Sequence, residues 1–150
     1  MKFYLGFFLL LVAIDSRSQE SVEGNLEFLS KFFSDYAPCV EDFYCNQYSI
    51  SVAKGEMQIG IKTFNYKNGE KFLKETATFV IPLNEIKEVR YFLDNSEDIF
   101  IVAKGDYITK TSQGKKELFD SLPLDFNKYK LSKALKIEFE RNFNAVINNQ

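Results

Sequence analysis

The chain has 150 residues, 19 Lys and Arg against 21 Asp and Glu for a net charge of −2, and 16% aromatic content built from 16 Phe and 8 Tyr with no Trp. That length and apolar content fit one domain with a packed core and exclude a disordered or fibrous chain. No His is present, so Ser–His–Asp and Cys–His catalysis, His-containing zinc sites and phosphohistidine relays are impossible, and the small negative charge argues against a nucleic-acid partner.

Met1-Lys2 gives a short positive start, Phe3 to Ile14 is apolar, and Asp15-Ser16-Arg17-Ser18 is polar with small residues at the −3 and −1 positions. This is the layout of a secretory signal peptide cleaved after Ser18. The alternative, a membrane anchor, needs about 20 apolar residues to cross a bilayer, and this run is shorter. The expected organisation is a signal peptide over 1–18 and a single α+β domain over 19–150. The product is expected to be secreted or periplasmic and not an integral membrane protein after cleavage. Cys39 and Cys45, the only cysteines, are expected to bridge in that oxidising compartment. Their spacing is not C-x-x-C, which speaks for a structural staple over a redox dithiol.

Leu26, Leu29, Phe32, Phe33 and Tyr36 recur at helical spacing, which predicts a helix over 25–36, with Asn25 as N-cap and Ala37-Pro38 as its end. From Tyr48 to Thr111 the period becomes two. Tyr48, Ile50 and Val52 begin one strand, and Met57, Ile59 and Ile61 another. Phe64 and Tyr66 fall on the opposite parity, which predicts a bulge near Gly60 or Thr63. Asn68-Gly69 is a hairpin signal. Ala77 to Leu83, Val89 to Leu93, Ile99 to Val102 and Tyr107 to Thr111 complete about six antiparallel strands, with Pro82 at a strand end and Lys104-Gly105 as a second Lys-Gly turn after Lys54-Gly55. The two Lys-Gly turns sit in a repeated pentapeptide, VAKGE and VAKGD. Residues 114–125 read as a connector. Asp125 or Asn127 is expected to cap a last amphipathic helix carrying Leu131, Leu135, Phe139 and Phe143.

A curved antiparallel meander closed by a C-terminal amphipathic helix, with Phe79 to Val89 (FVIPLNEIKEV) as its most suggestive stretch, resembles the pleckstrin-homology-like β-roll over about 48–146. The resemblance implies a roll or half-barrel. It departs from the family in having six strands where the family has seven, and a helix before them. The clustered Lys and Arg of the phosphoinositide-binding branch are not matched, since the first hairpin carries Lys54 and Lys62 beside Glu56. No headgroup-binding function is carried over.

Three features of the sequence could carry chemistry. Asp94-Asn95-Ser96-Glu97-Asp98 is oxygen-rich enough for calcium but lacks the glycine and the distant Glu of an EF-hand, and reads as a solvated loop. Glu85 and Glu88 as paired carboxylates have ordinary basic neighbours in Lys87 and Arg90. The Lys-rich stretches 67–74 and 110–116 are broken by acids and polar residues. No metal or cofactor is implied.

The aromatic strands stand out. Phe64, Tyr66, Phe72, Phe92, Phe100 and Tyr107 fall on strands, and Ile99 and Ile101 alternate with Phe100 and Val102, so some strands are apolar on both faces. Either these side chains pack under the first helix, or they form a ligand pocket or a partner surface. The leading expectation is a small exported non-catalytic binding module acting on a protein or envelope component. The alternatives are a lipocalin-like half-barrel carrying a small apolar ligand, without the Trp of the lipocalin signature, and an acid/base enzyme built on Tyr, Lys and carboxylates, whose mark would be a pKa-shifted carboxyl in a cleft.

Overall fold

The computed structural model describes residues 22–40, 43–92, 97–127 and 130–148. The expected signal peptide and all of the acid-rich loop except Glu97 and Asp98 lie outside the described residues. The described part is α+β: helix α1 over 22–36, nine antiparallel strands, and helix α2, Lys133–Asn148. The strands are β1 (Cys39–Val40), β2 (Tyr44–Ala53), β3 (Glu56–Lys67), β4 (Glu70–Pro82), β5 (Ile86–Tyr91), β6 (Ile99–Ala103), β7 (Ile108–Ser112), β8 (Lys115–Phe119) and β9 (Ser121–Leu124). They form a six-stranded sheet of order β1-β2-β3-β4-β7-β8 and a three-stranded sheet of order β5-β6-β9.

The architecture therefore keeps the expected class, an antiparallel α+β domain with a helix at each end, and corrects the expected single meander of six strands. The connector over 114–125 is two strands, β8 and β9. Pro123 hid β9, because proline cannot donate to a ladder; here β9 is an edge strand, where that donor is not needed. The β8 strand is exposed along its whole length, so it shows no alternation of apolar and polar residues.

The repeated pentapeptide takes two conformations. Lys54 and Gly55 both have positive φ (54° and 75°) and close the β2–β3 hairpin, as a type I′ turn requires. Lys104 and Gly105 do not share that geometry: they lead from β6 in one sheet to β7 in the other. The third turn of the Lys-Gly kind is Gln113-Gly114 (φ 50° and 75°), between β7 and β8.

Both helices are amphipathic, and their apolar stripes meet over the sheets. Leu29, Phe32 and Phe33 of α1, Phe139, Phe143 and Val146 of α2, Tyr48 and Ile50 of β2, Met57 and Ile59 of β3, Ile81 of β4, Ile99 and Ile101 of β6 and Leu122 and Leu124 of β9 form one buried cluster. Phe139 is its centre. Its ring contacts Phe32 (4.4 Å between centroids), Phe33, Tyr91, Phe92, Phe126 and Phe143. Already helical at 22, α1 takes Asn25 inside the helix and not at its cap. The start of α2 is set by Ser132, whose Oγ accepts the Leu135 N–H at 3.2 Å, later than the expected Asp125 or Asn127. Asn142, the one buried polar residue among those described, donates its side-chain amide to the Glu138 carbonyl at 2.7 Å.

Phe139→Ala should destabilise the fold by about 3–5 kcal/mol, the usual cost of emptying a packed aromatic site. Ile137→Ala, two residues away but 57% exposed, should change stability by less than about 0.5 kcal/mol. Urea unfolding of the two variants checks both.

Candidate interaction surface

The β2–β3–β4 ribbon is far longer than the core beneath it. β4 pairs with β7 only from Ala77 to Val80, whereas its pairing with β3 continues to Lys67↔Glu70. The part beyond Ala77 is an arm that reaches roughly 20 Å past the end of that pairing, at about 3.3 Å per residue. Asn68 and Gly69 close it with φ values of 54° and 79°, the geometry a two-residue I′ turn demands.

Strand parity assigns the side chains of the arm. On the core face run Tyr48, Ile50 and Val52 of β2 against Ile61, Ile59 and Met57 of β3 and Ala77, Phe79 and Ile81 of β4. The register slips between Thr63 and Phe64: Thr63 faces Glu75 and Phe64 faces Leu73, so Lys74 is the extra residue of a bulge. The expected bulge near Gly60 or Thr63 is thus found, with the insertion on the partner strand. Beyond it, Val40, Tyr44, Asn65 and Phe72 form one row across β1–β4 on the core face. Cys39, Cys45, Phe64 and Leu73 form the matching row on the outer face.

The helices leave most of these rows open to solvent, the end of α1 coming up only to Cys39 and Cys45. Val40 is 45% exposed, Phe43 72%, Tyr44 38%, Phe72 45% and Leu73 54%. Nine large hydrophobic side chains are exposed among the described residues, and these five share one end of one arm. The Cys39–Cys45 disulfide ties β1 to β2 beside them. The Phe43 carbonyl accepts the Tyr66 N–H at 3.2 Å, and Lys71 Nζ lies 4.3 Å from the centre of the Phe64 ring. The arm is anchored at its root by Glu75, which accepts from Ser112 Oγ at 3.0 Å and pairs with Lys110 at 3.2 Å. These partners hold the Glu75 carboxyl below its usual range.

Of the six aromatic residues singled out from the sequence, the structure brings three together here: Phe64, Tyr66 and Phe72. Phe92 packs beside Phe139 and under Lys136, in a left-handed conformation with φ 46°. Phe100 lies half-buried on β6 between Arg90 and Pro123 of the neighbouring strands. Tyr107 is exposed at the start of β7, at the Pro82 end of β4. Val40, Phe43, Tyr44 and Leu73 were missed. The first three lie before Tyr48, where the alternation of the strands begins, and Leu73 cannot be assigned a face until the bulge is known. A disulfide loop holding Phe43 and Tyr44 next to the start of a strand was the available signal.

Several clefts open on the surface of the described residues. One of about 410 Å³ lies between the end of α1 and β2, lined by Asp35, Ala37, Cys45, Asn46, Tyr48 and Lys130 among others. Asn46 Oδ1 is buried without a hydrogen-bond partner, and burial pushes the Tyr48 hydroxyl up to about 12. Another cleft, of about 270 Å³, is a dimple over Gly60 on the outer face of the sheet. Glu88 is paired with Arg90 at 2.6 Å and Glu97 with Lys136 at 2.5 Å. The Asp125 carboxyl is raised above its usual value, first by burial, then by the hydrogen bond to Asp98 and its charge. Among the described residues, no group of three His, Cys, Asp or Glu is placed to hold a metal ion, and no helix is long and apolar enough to cross a membrane. Comparison of the chain with protein-family models, curated proteins and solved structures gives no significant match.

Asp125 sets a pH dependence. A carboxyl whose folded pKa is raised costs nothing below the unfolded value, near 3.8, because both states are protonated. As pH climbs past that value the unfolded chain ionises first, so stability falls until the folded carboxyl has also ionised. Asp125→Asn should therefore raise the melting temperature at pH 7 relative to the parent, and the two curves should converge near pH 3. Thermal melts across that range check the sign.

Proposed function

We propose that the protein is a small exported, non-catalytic interaction module, carried out of the cytoplasm by the leader at 1–18, that meets its partner through the end of the β1–β4 arm. The carrying observation is the concentration of Val40, Phe43, Tyr44, Phe72 and Leu73 at one place, exposed: five of the nine exposed large hydrophobic side chains among the described residues lie there. Soluble proteins seldom leave such a patch open without a use for it. The disulfide at the base of the patch agrees with an oxidising compartment.

The carrier reading has less support. A half-barrel carrier keeps an apolar space between its sheet and its helices, and here that space holds the packed rings of Phe32, Phe33, Tyr48, Phe126 and Phe139. The acid/base enzyme reading asks for a pKa-shifted carboxyl in a cleft, and Asp125, whose pKa is raised, lines none of the clefts described above.

A photo-crosslinking side chain placed at Phe43 or at Phe72 in the exporting cell should form adducts, to protein or to lipid, that the same group at Ile137 does not form. Absence of adducts from the arm, or equal yields at Ile137, overturns the reading. Intact mass of the exported protein checks the route: a chain beginning at Gln19 and two hydrogens lighter than the reduced form is expected. Replacing both cysteines by Ser should cost about 2 kcal/mol of stability on the chain-entropy argument, measured by denaturant unfolding against the oxidised parent.

A further inference from the structure

We infer that a second copy of this chain adds to the open edge of β2, so that two molecules join their six-stranded sheets about a two-fold axis at Ile50. In the sheet order only β1 lies on that side of β2, and its pairs stop at Cys45. The Asn46 N–H turns to the same side, where it donates to the Pro38 carbonyl at 2.9 Å. Backbone direction alternates along a strand, so the N–H and C=O groups of Tyr48, Ile50 and Val52 also face outward. Among the described residues no strand pairs with them there. The other sheet edges carry the usual guards against strand addition. β1 has the disulfide, β8 has Lys116 and Glu117, β5 has a register slip at Lys87, and β9 has Pro123. The stretch from Gln47 to Ala53 has none of these: no charge, no proline and no slip in its register with β3.

A free edge of this kind takes up an extended strand through main-chain hydrogen bonds. Three observations choose a second copy as that strand. The first is length. The open stretch is bounded by β1 at one end and by the Lys54-Gly55 turn at the other. A two-fold axis at Ile50 lays the stretch against itself, and each molecule turns away at its own Lys54-Gly55 where the other's β1 begins. The second is the pairing of side chains. Ile50 meets Ile50 and Tyr48 meets Val52 on the core face, while Ser49 meets Ser51 on the outer face. Aromatic–β-branched and hydroxyl pairs suit such facing positions, and no like charges are opposed. The third is charge. The second copy's Lys54 arrives beside Asn46, at the cleft between α1 and β2. Asn46 Oδ1 is buried there without a hydrogen-bond partner, and the Asp35 carboxylate lines the same cleft together with Lys130. The incoming ammonium supplies the donor that the amide oxygen lacks. An isologous interface forms every such contact twice. It also points the two arms in opposite directions, with the two Tyr44 residues roughly 40 Å apart at about 3.3 Å per residue.

The disulfide-bonded protein should dimerise reversibly in sedimentation equilibrium, and weakly, since a single strand pairing is a small interface. Ser49→Lys with Ser51→Lys sets cation against cation across the axis and should weaken the dimer about tenfold. Both serines are exposed on the outer face, so the melting temperature of dilute protein should not change. Ser49→Glu with Ser51→Glu should weaken the dimer likewise, and an equimolar mixture of the two variants should restore it as a heterodimer. Hydrogen exchange reads the register. As concentration rises, the amides of Tyr48, Ile50 and Val52 should gain protection, while those of Gln47, Ser49 and Ser51, turned toward β3, should not change. The inference is overturned by a protein that stays monomeric up to about 1 mM, by a dimer that survives both charged pairs, or by a mixture that fails to restore it. A dimer lost on Phe72→Asp with Leu73→Asp overturns it too, because the arm would then be the interface. Crosslinking at Phe43 and Phe72 reads that other surface, so the two readings stand or fall separately.

Discussion

Everything outside the arm depends on the contact between Phe139 and Phe32. The two rings, 4.4 Å apart, join the first helix to the last, and the other rings around Phe139 bring in β5, the residue following β5, and the strand-to-helix segment at Phe126. A chain without Trp has to build its centre from smaller rings. It does so by stacking and edge-to-face contacts, which add to the burial of each ring. Because the ends of the sequence meet at this point, the six-stranded sheet needs covering only over its near half. The far half of β2, β3 and β4 can project, and that projection is where the apolar surface is left uncovered.

Much of this was legible from residue order. The spacing of Leu29, Phe32 and Phe33, and that of Phe139 and Phe143, identifies the buried stripes of both helices. Alternation identifies the core face of β2, β3 and the near part of β4. Asn68-Gly69 marks the turn at the tip of the arm, and the cysteine pair marks its base. What residue order does not carry is the partition of strands between sheets. β6 and β7 flank a Lys-Gly step of the same sequence as the one that closes a true hairpin at Lys54-Gly55, yet they belong to different sheets. The difference lies in tertiary packing: Ile99, Ile101 and Ala103 are drawn beneath the helices, and local sequence is overridden there.

The surface was legible in half. Phe64, Tyr66 and Phe72 are visible as aromatic residues on strand positions, but parity says only which side chains share a face, not whether another layer covers that face. Phe92 and Phe64 are equally aromatic and equally placed on strand patterns. One is packed against Phe139, while the other lies on the part of the ribbon that the helices leave mostly open to solvent. Leu73 depends on a further step, because the bulge at Lys74 reverses the side-chain order beyond it. Until that insertion is known, the two rows cannot be drawn.

The brevity of β1 has a consequence for solubility. Apolar side chains beside a sheet edge are the usual starting point for open-ended strand addition between copies. Here the edge next to the exposed rows is a strand of two residues, closed onto its neighbour by a disulfide and followed in sequence by Glu41 and Asp42. At this point an incoming strand would find the ladder already taken; the edge of β2 without a strand partner begins beyond Cys45, away from the exposed rows. The opposite edge of that sheet, β8, carries Lys115, Lys116 and Glu117, charged side chains of the kind that discourage edge-to-edge pairing. The molecule can thus display an exposed cluster of aromatic residues without strand addition starting from the cluster itself, because the stretch of edge beside it is closed.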